Sequence, residues 1–174
     1  MMKYIGLLFL IFTLSYAHAE TRTDTSGLIW YTDLAVAHKK SEESKKPIFA
    51  FFTGSDWCGW CKMLQKDVFA KKAFIDWAKE SVILLELDFP KRVPQKREQQ
   101  IQNQNLQRAL GVSGYPTVWL MNSELKDNGG YHLIKLGKLG YPRGGEKGKE
   151  EVQFLLEAKT ILNRAATEAA RKKE

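Results

Sequence analysis

Two cysteines, Cys58 and Cys61, stand three positions apart in the segment SDWCGWCK, and the chain has no others. Thiols at this spacing could supply half of a four-ligand zinc site, close a structural disulfide, or form a redox pair. The structural alternative is weak, because a disulfide stabilises mainly by closing a long loop. For zinc, only His38 and His132 lie beyond the N-terminal segment, and nothing in the sequence brings them close.

The residues around the two cysteines predict a strand followed by a helix. The run PIFAFFTG is short, apolar and rich in phenylalanine, which is typical of a buried strand. Ser55 or Asp56 could cap the helix that follows. A thiol at a helix start lies near unpaired backbone N–H groups, which lower its pKa. We therefore predict that Cys58 is the exposed nucleophile and that Cys61 is a partly buried resolving thiol.

The remaining elements predict an α/β fold with a central mixed β-sheet and helices on both faces. Residues 20–28 are polar and predicted to be loose. The hydrophobic patterns predict helices at about 32–44, 71–80 and 95–110 and from about 149, and strands at 81–89, 117–122 and 131–137. A βαβ unit thus comes first, and a β-hairpin with a closing helix comes second.

Two motifs resemble those of the thioredoxin superfamily. WCGWCK is similar to its Trp-Cys-Gly-Pro-Cys-Lys site, and GVSGYPT, residues 111–117, is similar to its Gly-Val-x-x-x-Pro-Thr stretch. The resemblance covers nearly all of residues 30–160 and is strongest to secreted bacterial thioredoxin-like proteins, relatives of the disulfide interchange proteins. It implies a thioredoxin fold in which Cys58 is the nucleophile and Cys61 the resolving thiol.

The same resemblance assigns roles to four residues around the cysteines. Trp57 would form an aromatic wall beside the site. Pro116 would be a cis-proline that faces the cysteine pair, and the backbone of Tyr115 would pair with the substrate chain. Trp60 would add an apolar, hydrogen-donating surface where a partner docks.

Two positions depart from the family pattern. The family often has a buried acid six positions before the nucleophile, where it accepts the proton of the resolving thiol, and here that position is Phe52. Deprotonation of Cys61 would then depend on water, on Asp56 or on a group that the sequence does not identify. Trp60 stands where thioredoxins have proline and oxidising relatives often have histidine. The missing imidazolium favours a reducing or intermediate potential.

The N-terminal segment predicts export. Residues 1–19 combine Lys3, an apolar run and the Ala17-His18-Ala19 pattern, which is typical of a cleaved signal peptide, and residues 20–174 form a single thioredoxin-like domain. We expect a periplasmic or secreted protein with no stable membrane insertion after cleavage. The net charge of +7 is scattered along the chain, so no nucleic-acid footprint is visible.

We therefore predict a thiol–disulfide oxidoreductase of protein substrates, acting as a reductase or an isomerase through its CGWC pair. The expected partners are proteins with thiols or disulfides and a redox protein that recycles Cys58 and Cys61. No cofactor and no metal is expected. The alternative is a binding or chaperone module of the same fold without redox turnover.

Overall fold

The computed structural model describes residues 21–144 and 146–172, and the predicted signal peptide lies outside them. The described residues form a six-stranded sheet and five α-helices, which confirms the α/β class. The strands are β1 (Thr21–Thr23), β2 (Ile29–Tyr31), β3 (Ile48–Thr53), β4 (Ile83–Asp88), β5 (Thr117–Leu125) and β6 (Tyr131–Leu139). The helices are α1 (Leu34–Ser44), α2 (Gly59–Leu64), α3 (Lys72–Ser81), α4 (Arg97–Leu110) and α5 (Glu150–Arg171).

Strand β3 lies at the centre of a mixed sheet whose order is β1-β2-β4-β3-β5-β6. It runs parallel to β4 and antiparallel to β5, and all six of its residues are buried. A strand covered on both faces is expected to read as a continuous apolar run, as IFAFFT does. The sheet thus carries the segment that leads into the two cysteines through the middle of the protein.

Alternation along β3 divides the core into two clusters. Phe49 and Phe51 lie in a cluster with Cys58 and Cys61, and we call this side of the sheet the cysteine face. The alternate residues Ile48, Ala50 and Phe52 lie in the second cluster, on what we call the opposite face. Residues of α2, α3 and α5 cover the cysteine face, and residues of α1 and α4 cover the opposite face. Helices therefore cover both faces, as predicted.

The first two strands were not predicted from the sequence. Residues 20–28 were expected to be loose, but β1 pairs antiparallel with β2, and β2 pairs parallel with β4. The carboxylate of Asp24 holds the turn between them, accepting the backbone N–H groups of Ser26 and Leu28 and the Nε1–H of Trp30. Strands of three residues are too short to show a hydrophobic period, so the sequence carried no signal for them.

The helix after the cysteines changes its hydrogen bonding. Helix α2 ends at Leu64 and continues as a π-helical segment, Gln65–Phe69, in which Ala70 N–H donates to the carbonyl of Gln65. The side chains predicted to share one side of this helix are all buried, namely Cys61, Leu64, Val68 and Phe69. The sequence therefore predicted the buried side and missed the π-helical segment.

The β5–β6 hairpin and α5 agree with the predicted second half of the fold. Strand β5 extends to Leu125, so its turn is shorter than the predicted SELKDNGG. Helix α5 lies so close to β6 that a Cβ on Gly137 would stand 2.7 Å from Ile161, which explains a glycine inside this strand. No helix in the described part of the chain is both long and apolar enough to cross a membrane.

Candidate functional site

Cys58 and Cys61 form a disulfide at the start of α2, with their Cα atoms 5.3 Å apart. Cys58 is itself the N-cap residue, and its Sγ accepts the backbone N–H of Cys61 at 3.2 Å. The prediction that Ser55 or Asp56 caps this helix was therefore wrong. The capping bond places a backbone donor against the sulfur of Cys58, where it would stabilise negative charge on that atom.

Both cysteines are largely buried in the disulfide form. Cys61 is fully buried, and Cys58 is 5% exposed. The sequence predicted an exposed Cys58, whereas the disulfide form buries it almost completely. The small contact of the pair with solvent is therefore at Cys58, which favours this residue as the point of attack.

Asp56 holds the loop that follows β4. Its carboxylate accepts the backbone N–H groups of Lys91, Arg92 and Val93 at distances between 2.6 and 3.3 Å. Partial burial acts to raise the pKa of Asp56, but these N–H groups outweigh it and lower the pKa. A carboxyl group with a lowered pKa is a poor proton acceptor for a thiol. Asp56 is therefore an unsuitable candidate for deprotonating Cys61.

Trp57 is fixed beside the cysteines by contacts on three sides. Its Nε1–H donates to the carbonyl of Phe89 at 2.8 Å, and its ring meets that of Tyr115 edge-on at 5.6 Å. The ammonium group of Lys91 lies 4.2 Å from the ring centroid. A Cβ on Gly54 would stand 2.4 Å from the indole, so only glycine fits beneath it. This fixed indole suits the role of an aromatic wall.

Trp60, between the two cysteines, has 57% of its surface in contact with solvent. Its ring packs against Tyr141 at 5.2 Å, and the hydroxyl of Tyr141 donates to Asp67 Oδ2 at 2.9 Å. Burial and this hydrogen bond raise the pKa of Tyr141 to about 12. Sequence reasoning missed Tyr141 and Asp67, since a tyrosine in the glycine-rich loop after β6 gives no sign of which residue it contacts.

The peptide bond between Tyr115 and Pro116 is cis, as the resemblance implied. The hydroxyl of Tyr115 accepts a hydrogen bond from Gln107 Nε2 at 2.8 Å, and its ring also packs against Phe89 at 5.2 Å. Tyr115 packs against the core cluster that contains both cysteines. The structure thus brings together Trp57, Tyr115 and the cysteine pair, while a substrate role for Tyr115 and Pro116 stays a prediction.

Strand β4 carries an acid, Glu86, whose side chain is 12% exposed. Phe52, where the family often has an acid, belongs to the cluster on the opposite face, and Phe51 belongs to the cluster on the cysteine face. Glu86 is the cross-strand partner of Phe51. Burial raises the pKa of Glu86, and the ion pair with Arg22 only partly opposes that effect. Sequence reasoning overlooked Glu86, although it interrupts the apolar strand ILLELD.

Both histidines of the described chain contact the β5–β6 hairpin, His38 from helix α1 and His132 from within β6. His38 Nδ1 is 2.9 Å from the hydroxyl of Ser123, and its ring packs against Tyr131. His132 Nδ1 is 3.2 Å from a carboxylate oxygen of Glu124. Neither pairs with a cysteine, so the thiolate of Cys58 has no imidazolium partner among these residues.

Comparison with known proteins agrees with this geometry. The family described as a thioredoxin-like domain matches residues 34–132. A protein named disulfide bond reductase DsbH from Chlamydia pneumoniae is 32% identical over 126 residues, which cover 72% of this chain and 71% of the relative. The thioredoxin-related protein DsbJ from the same organism is 26% identical over 164 residues, 94% of this chain and 45% of the relative.

Solved structures give the same fold. A structure named DsbH oxidoreductase has a TM-score of 0.63 and 29% identity, covering 78% of this chain and 85% of that one. A thioredoxin from Thermus thermophilus has a TM-score of 0.50 and 16% identity, covering 76% of this chain and 85% of that one, and it bears on the fold alone. The chain has a thioredoxin fold and belongs to the thioredoxin-like domain family, as a disulfide interchange protein of the thioredoxin superfamily.

Proposed function

We propose that this thiol–disulfide oxidoreductase acts as a reductase or isomerase of protein disulfides in the periplasm or outside the cell. The observation that carries the proposal is the Cys58–Cys61 disulfide, in which Cys61 is fully buried and Cys58 keeps the pair's only exposure. This asymmetry supports Cys58 as the nucleophile and Cys61 as the resolving thiol. The relative DsbH is named a disulfide bond reductase, which favours the reducing direction.

The reaction is two consecutive thiol–disulfide exchanges. The thiolate of Cys58 attacks one sulfur of a substrate disulfide, forms a mixed disulfide and releases the other substrate sulfur as a thiolate. Cys61 then loses its proton and attacks the sulfur of Cys58, which forms the Cys58–Cys61 bond and releases the second substrate thiolate. The substrate gains two electrons that the enzyme loses, so a redox partner protein must reduce the pair before each new cycle.

The surface around Cys58 supports a protein substrate. Three large apolar side chains on this side are exposed, namely Trp57, Trp60 and Met63. Exposed aromatic side chains held in place by their own contacts are effective anchors for a partner, since little conformational freedom is lost on binding. In this proposal the segment at Tyr115 and Pro116 completes the substrate surface, and residues 20–174 act as one domain after signal cleavage.

The reduction potential separates a reductase or isomerase from an oxidase. A helix N-terminus contributes about 0.3 to 1 kcal/mol to a nearby negative charge, and for two electrons about 1.4 kcal/mol corresponds to 30 mV. No imidazolium lies beside Cys58, so these contributions leave the reduction potential of the Cys58–Cys61 pair far from that of the strongly oxidising proteins of this kind. We expect a potential roughly between −280 and −200 mV, and equilibration with glutathione measures it. A value more oxidising than about −160 mV would indicate an oxidase.

Insulin reduction tests the activity. With dithiothreitol as reductant, the protein should accelerate the precipitation of insulin chains, and Cys58→Ser should abolish this acceleration. Cys61→Ser is the matched control, since it should form a mixed disulfide with substrate and then stop. A wild-type protein that leaves the insulin rate unchanged while it slows aggregation of a client would instead be a binding module.

A further inference from the structure

The segment that leads from β4 into α4 concentrates basic charge. Residues 89–97 have the sequence FPKRVPQKR, which contains four basic residues and no acidic one. The side chains of Lys91 and Arg92 are exposed to solvent. The positive charge of the chain is scattered along the sequence as a whole, whereas this segment gathers four cations into nine residues.

This segment is fixed beside the nucleophile by the two residues that precede Cys58. The Nζ atom of Lys91 lies 4.2 Å from the centroid of the Trp57 ring. The carboxylate of Asp56 accepts the backbone N–H groups of Lys91 and Arg92. The basic segment is therefore attached to the part of the chain that ends at Cys58.

A cleft of about 420 Å³ opens between this segment and helix α4. Residues 89–95 line it on one side, and the amide side chains of Gln100 and Gln104 belong to the other. Lys91 both lines the cleft and contacts the ring of Trp57, so the cleft adjoins the aromatic wall beside the cysteines. Among the described residues, no aspartate or glutamate lines this cleft.

The acids closest to the cleft in sequence do not neutralise its cations. Asp56 is bound to backbone N–H groups, and Asp88 accepts the backbone N–H and the hydroxyl of Ser55. Glu98, the single acid of α4, is not among the residues that line the cleft. The cleft thus presents positive charge and amide groups without a carboxylate of its own.

The two cations of the cleft keep donors for a ligand. Neither Lys91 nor Arg92 forms an ion pair with a carboxylate in the part of the chain that the structure describes. A lysine ammonium over an aromatic ring is attracted to the ring face and still has N–H groups to donate. An arginine guanidinium fits a carboxylate with two parallel hydrogen bonds. These groups are complementary to an acidic side chain.

We propose that the cleft lined by Lys91 and Arg92 binds an acidic segment of the client protein, so that the enzyme acts preferentially on disulfides flanked by aspartate or glutamate. Such a preference rests on the proposed function, because it concerns the substrates of the Cys58–Cys61 pair. An extended client chain advances about 3.3 Å per residue. A carboxylate a few positions from the client cysteine can therefore reach the cleft while the cysteine is bonded to Cys58.

Two peptides with the same disulfide-closed loop test this preference in the full protein. They differ only in the residues that flank the two cysteines, which are all glutamate in one peptide and all lysine in the other. Dithiothreitol serves as the reductant, and its rate on each peptide alone corrects for intrinsic reactivity. We expect kcat/KM to be about 10-fold higher for the glutamate peptide at low ionic strength. At about 0.5 M salt the ratio should fall towards 1, because exposed charges are then screened.

A charge reversal in the cleft, with a matched control, locates the preference. Lys91→Glu/Arg92→Glu should make the lysine peptide the better substrate, and both substitutions keep the backbone N–H groups that Asp56 accepts. Lys91→Gln/Arg92→Gln should abolish the preference. The control Lys39→Glu/Lys126→Glu makes the same change of net charge at two exposed residues, on α1 and at the end of β5 away from the cis-proline. It should keep the wild-type preference, and urea unfolding checks that all variants are folded.

Three outcomes would overturn the proposal. The first is equal corrected rates of the wild-type protein on the two peptides. The second is a glutamate preference that survives in both cleft variants, which would place recognition elsewhere. The third is an equal loss of preference in the control variant, because the charge of the whole protein would then steer the peptides without the cleft. A wild-type protein that accelerates the reduction of neither peptide would instead contradict the proposed function itself.

Discussion

The two faces of β3 are buried to the same extent but are filled differently. On the cysteine face seven aromatic rings contact one another, with centroids 4.6 to 6.2 Å apart in the contacts among Trp30, Phe49, Phe51, Phe69, Phe74, Trp77 and Phe154. The opposite face is mainly aliphatic, with Leu85, Leu106 and Leu110 beside the single Phe52 of β3.

Buried polar groups occur on both faces, and Trp119 Nε1 on the opposite face has no protein partner in the described residues. Helix α4, which covers the opposite face, buries Asn103, whose amide donates to the carbonyl of Asp88 and accepts from Gln99 and Gln102. On the cysteine face Glu86 accepts a hydrogen bond from Arg22, and the hydroxyl of Thr53 has no protein partner in the described residues. Satisfied buried groups specify a fold, while incompletely satisfied ones cost stability and are frequent where chemistry occurs.

The largest expected effect is a loss of stability when either of two phenylalanines of β3 without solvent exposure is replaced by alanine. Phe49→Ala should destabilise the protein by about 5 kcal/mol and Phe52→Ala by about 3 kcal/mol, within the range for buried aromatic truncations. Phe49 contacts five aromatic rings and Phe52 one, and such pairs add stability beyond burial. Urea unfolding measures both. Equal losses would mean that ring contacts do not distinguish the faces.

The second effect tests the satisfied network of the opposite face. Asn103→Ala should lower the free energy of unfolding by about 2 kcal/mol, because it leaves buried polar groups without a partner. The rate of insulin reduction should stay at its wild-type value. Gln104→Ala, an exposed neighbour in α4, is the control and should change stability by less than about 0.5 kcal/mol. Slower insulin reduction by Asn103→Ala would remove the functional distinction between the faces.

The smallest expected effect is the pH dependence of stability that the titration of Glu86 causes. A carboxyl group whose pKa is raised by folding adds stability fully below the free value of 4.5, and this contribution disappears as the pH rises through the raised pKa. Glutamine does not titrate. From about pH 4 to about pH 8 the stability of wild type relative to Glu86→Gln should therefore fall. Urea unfolding at both pH values measures the difference in the free energy of unfolding between wild type and Glu86→Gln. The same difference at both pH values would argue against a raised pKa of Glu86.

The sequence predicted the parts of this molecule that depend on local patterns. The apolar run of β3, the cysteine spacing and the buried side of the following helix are all local, and the structure confirms them. Arg22 and Glu86 pair although they are 64 positions apart in the sequence. Their pairing depends on β1 and β2, two strands of three residues that are too short to be recognised in the sequence. No sheet face was assigned to Phe52 from the sequence, because counting back from Cys58 does not reveal which way a strand residue points.

Asp56 holds residues 91–93 by their backbone N–H groups and leaves their side chains exposed beside Trp57. A loop fixed in this way can exchange its side chains without losing its shape, proline excepted, because every other residue type supplies the same N–H group. Substitutions at these three positions could therefore change the charge and the size of the side chains next to the cysteines. The stability of the fold and the chemistry of the thiols would be left almost untouched.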